Sequence, residues 1–410
     1  MKKITAQFIL GVGLVILFSQ RTQALWVQTN VPQAEHIYAL AVNGNTAFAG
    51  TFGSGVFRSA NDGASWTAVN YGLTNSTVLS FAVSGSAILA ATYGGGIYRS
   101  ASNGTSWSPV DSGLSNYTMN VQSLAVSGSF VFAGTYGSGV FLSADNGTSW
   151  SPVDSGLTSF NVTSLAVGGG SIFAGAWGVF LSTNNGTGWT EVDSGITDPN
   201  VISLAVNGTN IFAGTYGSGI FLSENNGTSW TAVNSGLSST VVTSFAVSDG
   251  GIFAGTWGSG VYLSTNNGAS WTAVNSGLAS LDVQCLAVGG GTVFAGTDSA
   301  GVWRRPLSEM LAARNPYPRA GMLQQVTFTV LSPGRSNPNA TMAFSLPCPG
   351  RITAALYDLS GRETMSLVNN YFGSGPHSIS WDTRNLAEGC YTVRMQAGSN
   401  SLARSVLITR

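Results

Sequence analysis

A short apolar triplet returns seven times along this chain, and no other feature of it restricts the fold as tightly. It stands as Leu40-Ala41-Val42, Phe81-Ala82-Val83, Leu124-Ala125-Val126, Leu165-Ala166-Val167, Leu204-Ala205-Val206, Phe245-Ala246-Val247 and Leu286-Ala287-Val288, at intervals of 39 to 43 residues. After each copy comes a second apolar run such as Phe132-Ala133-Gly134-Thr135, then a glycine-rich turn such as Tyr136-Gly137-Ser138-Gly139. A third run follows (Val140-Phe141-Leu142-Ser143), then a polar turn and a fourth run around Trp150. Short apolar runs bounded by Gly, Asn, Asp and Ser are the pattern of strands. The repeats carry no helical apolar period.

Four antiparallel strands in a unit of ~40–45 residues predict the blade of a β-propeller. The small neighbours of the first run suit an innermost strand, where blades converge. Blade counting leaves a discrepancy that the ends of the chain resolve. Six fourth-strand tryptophans are present, Trp66, Trp107, Trp150, Trp189, Trp230 and Trp271, against seven inner strands. Trp26-Val27-Gln28-Thr29-Asn30 aligns with Trp66-Thr67-Ala68-Val69-Asn70, and the last repeat stops after its third strand at Gly301-Val302-Trp303. The Trp26 strand is therefore expected to complete the last blade and remove an open edge.

The turn between third and fourth strands reads Ser59-Ala60-Asn61-Asp62-Gly63-Ala64-Ser65-Trp66, with further copies ending at the other five tryptophans. Its key positions are Asn61 and Gly63, Ser102 and Gly104, Asp145 and Gly147, Asn184 and Gly186, Asn225 and Gly227, Asn266 and Gly268. Gly188 replaces the hydroxyl residue in the fourth copy. These residues resemble the Asp-box, or BNR, repeats of sialidase-like propellers. The physical reading is a hairpin turn in which a side-chain oxygen bonds back to the backbone and glycine supplies positive φ. The Asn-Gly-Thr triplets here also match the N-glycosylation pattern. The resemblance implies boxes lying away from the active face and not catalytic.

The same resemblance raises hydrolysis as an alternative. A sialidase of that family holds its substrate carboxylate with three arginines, whereas Leu25 to Trp303 contains Arg58 and Arg99 alone, at one repeat position and read as surface residues. A two-carboxylate glycoside hydrolase would place its acids where the repeat is broken, which points to Asp198, Asp282 and Asp298. The non-catalytic reading is preferred. One repeat position suits binding instead: the residue opening each second-to-third-strand turn is Phe52, Tyr93, Tyr136, Trp177, Tyr216, Trp257 and finally Asp298. Aromatic rings there either wedge between blades or offer flat apolar platforms to a glycan or protein. Trp177, on a shortened turn, and Asp298 are the main interruptions.

Charged residues make up 8% of the chain, and the repeats hold 2 basic and 12 acidic residues against 11 and 5 from Arg304 onward. Nucleic-acid binding is excluded for so acidic a body. With two histidines and three cysteines scattered along the chain, neither a metal site nor a cofactor is expected. The first 24 residues have the charged start, apolar stretch and small-residue cleavage pattern of a secretory signal, too short in its apolar run to span a bilayer.

After a linker over residues 306–325, period-2 patterning returns. Asn337-Pro338-Asn339-Ala340-Thr341, Leu356-Tyr357-Asp358-Leu359-Ser360-Gly361-Arg362, Trp381-Asp382-Thr383-Arg384-Asn385-Leu386 and Gly389-Cys390-Tyr391 resemble the type A C-terminal sorting domain of the type IX secretion system. That resemblance implies export through the periplasm, a partner in the type IX machinery, and release or display at the outer cell surface. An oxidising compartment would permit Cys348 and Cys390 to pair. The expected fold is thus all-β: a signal (1–24), a seven-bladed propeller closed by its N-terminal strand (25–305), the linker, and a small Ig-like β-sandwich (326–410). The expected work is glycan or protein binding outside the cell.

Overall fold

The computed structural model describes residues 25–31, 36–114, 119–312, 327–331, 338–346, 350–372, 375–397 and 400–408. The expected signal segment and Cys348 lie outside them, and the expected disulfide with it; Cys390 is a half-buried free thiol. The chain divides into two units, residues 1–311 and 312–410.

In the first unit each repeat folds into a four-stranded antiparallel sheet, and among the described residues there are seven. The first sheet runs Ile37–Asn43, Thr46–Thr51, Val56–Ser59, Thr67–Ala68, in spatial order. The inner strand of each sheet lies beside that of the next, and the inner strand of the seventh (Val283–Gly289) beside that of the first. The second strands, such as Phe130–Thr135 and Asn210–Thr215, are buried along nearly their whole length because neighbouring sheets cover both faces. Phe48, Phe132, Phe173, Phe212, Phe253 and Phe294 fill those interfaces.

The seventh sheet draws on both ends of the unit. Val27–Gln28 pairs antiparallel with Val302–Pro306, in the register Val27↔Arg304 and Gln28↔Trp303. A chain of indole bonds then links sheet to sheet. Trp107, Trp150, Trp189, Trp230 and Trp271 donate Nε1–H to the carbonyls of Val69, Val110, Val153, Val192 and Val233, each on the preceding sheet. Trp26 does the same to Val274 at 2.7 Å. Trp66 meets Thr29, which stands where the other repeats have valine, and bonds its hydroxyl Oγ1 at 3.0 Å.

Leu307–Ala312, within the stretch read as linker, is a short helix whose Met310 is buried against Trp26, Leu263 and Trp303. In the second unit a three-stranded sheet (Thr327–Leu331, Asn339–Leu346, Gly375–Asp382) and a four-stranded one (Glu363–Phe372, Gly350–Tyr357, Gly389–Ala397, Asn400–Ile408) share one core built on Phe344, Leu356, Trp381, Val393 and Met395. Three of the stretches singled out there contribute its turns and ties. Asp358 caps the turn at Ser360 and Arg362, and Thr383 donates its hydroxyl and its N–H to the Pro338 carbonyl.

Candidate functional site

Strand alternation sorts the loops into two faces. The inner strand leaves one face, the second returns to it, the third leaves again and the fourth returns. Second-to-third-strand turns and the connections into the next sheet therefore share one face, and the box turns share the other.

On the box face the turn is held from within. Ser59 Oγ donates to Asn61 Oδ1 at 2.9 Å and accepts the Gly63 N–H at 2.9 Å, while Asn61 Oδ1 also accepts the Ser65 N–H. The other boxes repeat this, including the altered ones. Ser102 Oγ accepts from the Ser106 amide, and Gly188 serves because its N–H, bonded to Asn184 Oδ1, is what the turn requires. Asp145 collects bonds from the Ser143 and Ser149 hydroxyls and the Thr148 and Ser149 amides, which hold its carboxyl well below the usual range. The residue before each box glycine adopts positive φ: Asp62, Asn103, Asn146, Asn185, Asn226 and Asn267, at 52° to 58°. Asn and Asp tolerate that region best after glycine. A Cβ on the box glycine itself would strike the preceding sheet, Phe48 at Gly104 and Phe212 at Gly268. These bonds lie within each turn, and the glycine lets the turn sit against the preceding sheet.

On the opposite face six of the seven turn-opening residues share one backbone position, and Trp177 instead donates its N–H to Ser159 Oγ at 3.4 Å. The amides of Phe52, Tyr93, Tyr136, Tyr216, Trp257 and Asp298 bond to the carbonyls of His36, Thr77, Asn120, Asn200, Val241 and Asp282, each just ahead of the inner strand of the same sheet. The six aromatic side chains point outward: Trp177 is 65% exposed and the least exposed, Tyr216 and Trp257, are 49%. Wedging between sheets is done instead by the second-strand phenylalanines. Trp177 stands at the apex of a turn so short that Ala176 pairs directly with Gly178. Tyr216 and Trp257, on adjacent sheets, meet edge to face with centroids 6.4 Å apart.

The seventh position differs. Asp298 Oδ1 lies 3.1 Å from His36 Nδ1, and His36 and Tyr38 flank Phe52 at 6.5 and 5.8 Å between ring centroids. Tyr38 also lines an axial cavity of ≈ 220 Å³ with Leu79, Thr163, Ile202, Thr243 and Gln284 from the inner strands. Of the other acids that break the repeat, Asp198 gives its two oxygens to the Asn200 and Gly217 amides, and Asp282 adjoins Asp298 through the backbone.

Arg58 and Arg99 are half-buried, with Nε atoms that no solvent reaches. They sit mid-sheet between second and fourth strands, where other repeats carry Leu142 or Leu222. Among the described residues no cluster of three metal-ligating side chains occurs, and no helix is long and apolar enough to cross a membrane.

No protein-family model matches the chain, and no curated protein matches it. Solved structures do. PorZ, an essential surface component of the type-IX secretion system of Porphyromonas gingivalis, is 16% identical with a TM-score of 0.53, over 94% of this chain and 61% of that one. YCF48 bound to D1 peptide is 13% identical, TM-score 0.54, over 70% and 98%. The GH74 enzyme of Niastella koreensis is 18% identical, TM-score 0.51, over 66% and 43%. At these identities the likeness concerns the fold, which is that of the β-propellers.

Proposed function

We propose that this chain is a secreted seven-bladed Asp-box propeller that binds a glycan or a protein through its aromatic face, and that its C-terminal unit is a type IX sorting domain. The observation that carries the binding reading is the set of six exposed aromatic rings at one repeat position on one face. Stacking platforms cost little conformational entropy when they engage a ligand, and a closed ring of sheets holds them fixed. Their exposure has no packing explanation, because the second-strand phenylalanines already fill the interfaces. That YCF48, a structure of this shape, is bound to a peptide makes a protein ligand reasonable.

Binding is preferred to hydrolysis because two of the three acids that break the repeat have other work. Asp198 is spent on backbone amides, Asp298 is paired with His36, and no carboxylate lines the axial cavity among the described residues. The sorting reading rests on the four matching stretches, three of which form the turns and ties of one small core.

The test is a glycan and peptide array probed with the wild type and with Trp177→Ala/Trp257→Ala. Loss of the bound ligands in the variant supports the reading. Undiminished binding to every ligand found sinks it.

A further inference from the structure

Six exposed rings and one carboxylate occupy equivalent places on this face, and the charge around them has a single sign. The connections that lead into the inner strands contribute Asp111, Asp154, Asp193, Asp198 and Asp282, and the turns contribute Asp298. No Lys or Arg occurs in any of these loops; the two arginines of the repeats lie on third strands, next to the box serines.

The seventh position concentrates both characters. Asp298 is partly exposed and is linked through His36 to the ring of Phe52, which Tyr38 flanks on its own account. Its negative charge, after burial, is what pushes the Tyr38 hydroxyl up from its ordinary value, so the carboxylate and the ring share one local field. His36 meets Asp298 through Oδ1, and the second carboxylate oxygen, beside aromatic rings and with no Lys or Arg in these loops, complements a cationic side chain.

We propose that the surface patch of Asp298, Phe52 and Tyr38 receives a Lys or Arg side chain of a basic polypeptide segment, which runs across the aromatic face. The proposal rests on the aromatic-face reading and gives its ligand a chemistry. A polypeptide fits better than a small ammonium ion, since acids and rings recur around the face and a chain meets several of them at once. Charge complementarity of this kind raises encounter rates and discriminates between partners more than it adds affinity.

The test titrates the full-length protein with fluorescent decalysine, decaglutamate, a neutral Gly-Ser decapeptide and N-acetyl-lysine amide. Decalysine alone is expected to bind measurably, and more weakly at about 1 M NaCl, where the screening length falls to about 3 Å. Asp298→Asn and Phe52→Ala should each weaken it by about tenfold, in keeping with a lost ion pair or cation–π contact. Glu224→Gln, on the box face, should leave it unchanged. Equal decalysine binding by wild type and Asp298→Asn overturns the proposal, as does equal binding of all three decapeptides or binding of the single lysine as tight as that of decalysine. The two readings fail separately: a glycan held by Trp177 and Trp257 in a protein that ignores decalysine retains the aromatic face and overturns the cation-binding patch.

Discussion

The indole Nε1 of Trp26 donates to the carbonyl oxygen of Val274, 248 residues along the chain, at 2.7 Å. That bond, with Trp26 N donating to Ser276 O at 2.8 Å, reproduces at the chain junction what Trp271 does one sheet earlier with Val233 and Ser235. Trp26→Ala should therefore destabilise the whole repeat unit by about 3–5 kcal/mol, the range for removing a buried large aromatic. Trp26→Phe, which keeps most of the packing and loses the bond, should cost about 1 kcal/mol more than packing loss alone. Denaturant unfolding followed by tryptophan emission checks both, and a Trp26→Ala midpoint equal to wild type would refute the closure.

Glycine is required at some turns for space as well as φ. A Cβ on Gly72 would collide with the backbone carbonyl oxygen of Trp107 on the next sheet, whereas one on Gly44 would meet nothing within 4 Å. Both have positive φ, 85° and 59°. Gly44→Ala should cost about 1–2 kcal/mol, the conformational term alone. Gly72→Ala should cost clearly more, because backbone on two sheets must shift. Thermal melting of the two variants gives the comparison.

Asp145 predicts a pH signature. Its folded-state carboxyl is held below its unfolded value of about 3.9, chiefly by the Ser143 and Ser149 hydroxyls. A depressed carboxyl contributes stability that is complete above the unfolded value and is lost as pH falls through the folded one. Wild type should thus lose stability below about pH 4 relative to Asp145→Asn, whose amide matches Asn61, Asn184, Asn225 and Asn266. Parallel melting-temperature profiles of the two proteins in that acid range would count against the assignment.

Much of this was legible in the residues. Strand runs, box turns and the alignment of Trp26 with Trp66 are local patterns, and local patterns survive in a linear chain. The left-handed residue before each box glycine was equally readable, since Asp or Asn stands at all six places, yet the eye goes to the neighbouring Asn61 position whose side chain makes the bonds. The direction of the aromatic rings was not legible. Phe48 and Phe52 lie four residues apart in one repeat, one fully buried and one 58% exposed, and spacing alone does not say which turns outward at a strand end. Nor could spacing bring His36 to Asp298 across 262 residues; that contact exists because the first and last inner strands are neighbours.

The sorting proposal has its own consequence. Removing residues 326–410 should leave the repeat unit folded, with an unchanged melting transition, since its core is built without them. The truncated protein should accumulate in the periplasm of the producing cell. Undiminished surface display after truncation, read by fractionation and surface proteolysis, would remove the sorting role.

The central claim is that one face binds and the other holds the sheets together. Hydroxyl-radical footprinting of the full-length protein, with and without the strongest ligand from the array, tests it most directly. Protection is predicted at Phe52, Tyr93, Tyr136, Trp177, Tyr216 and Trp257, with the box-face loops unchanged. Protection confined to the box loops, or none at the aromatic positions at saturating ligand, would contradict it.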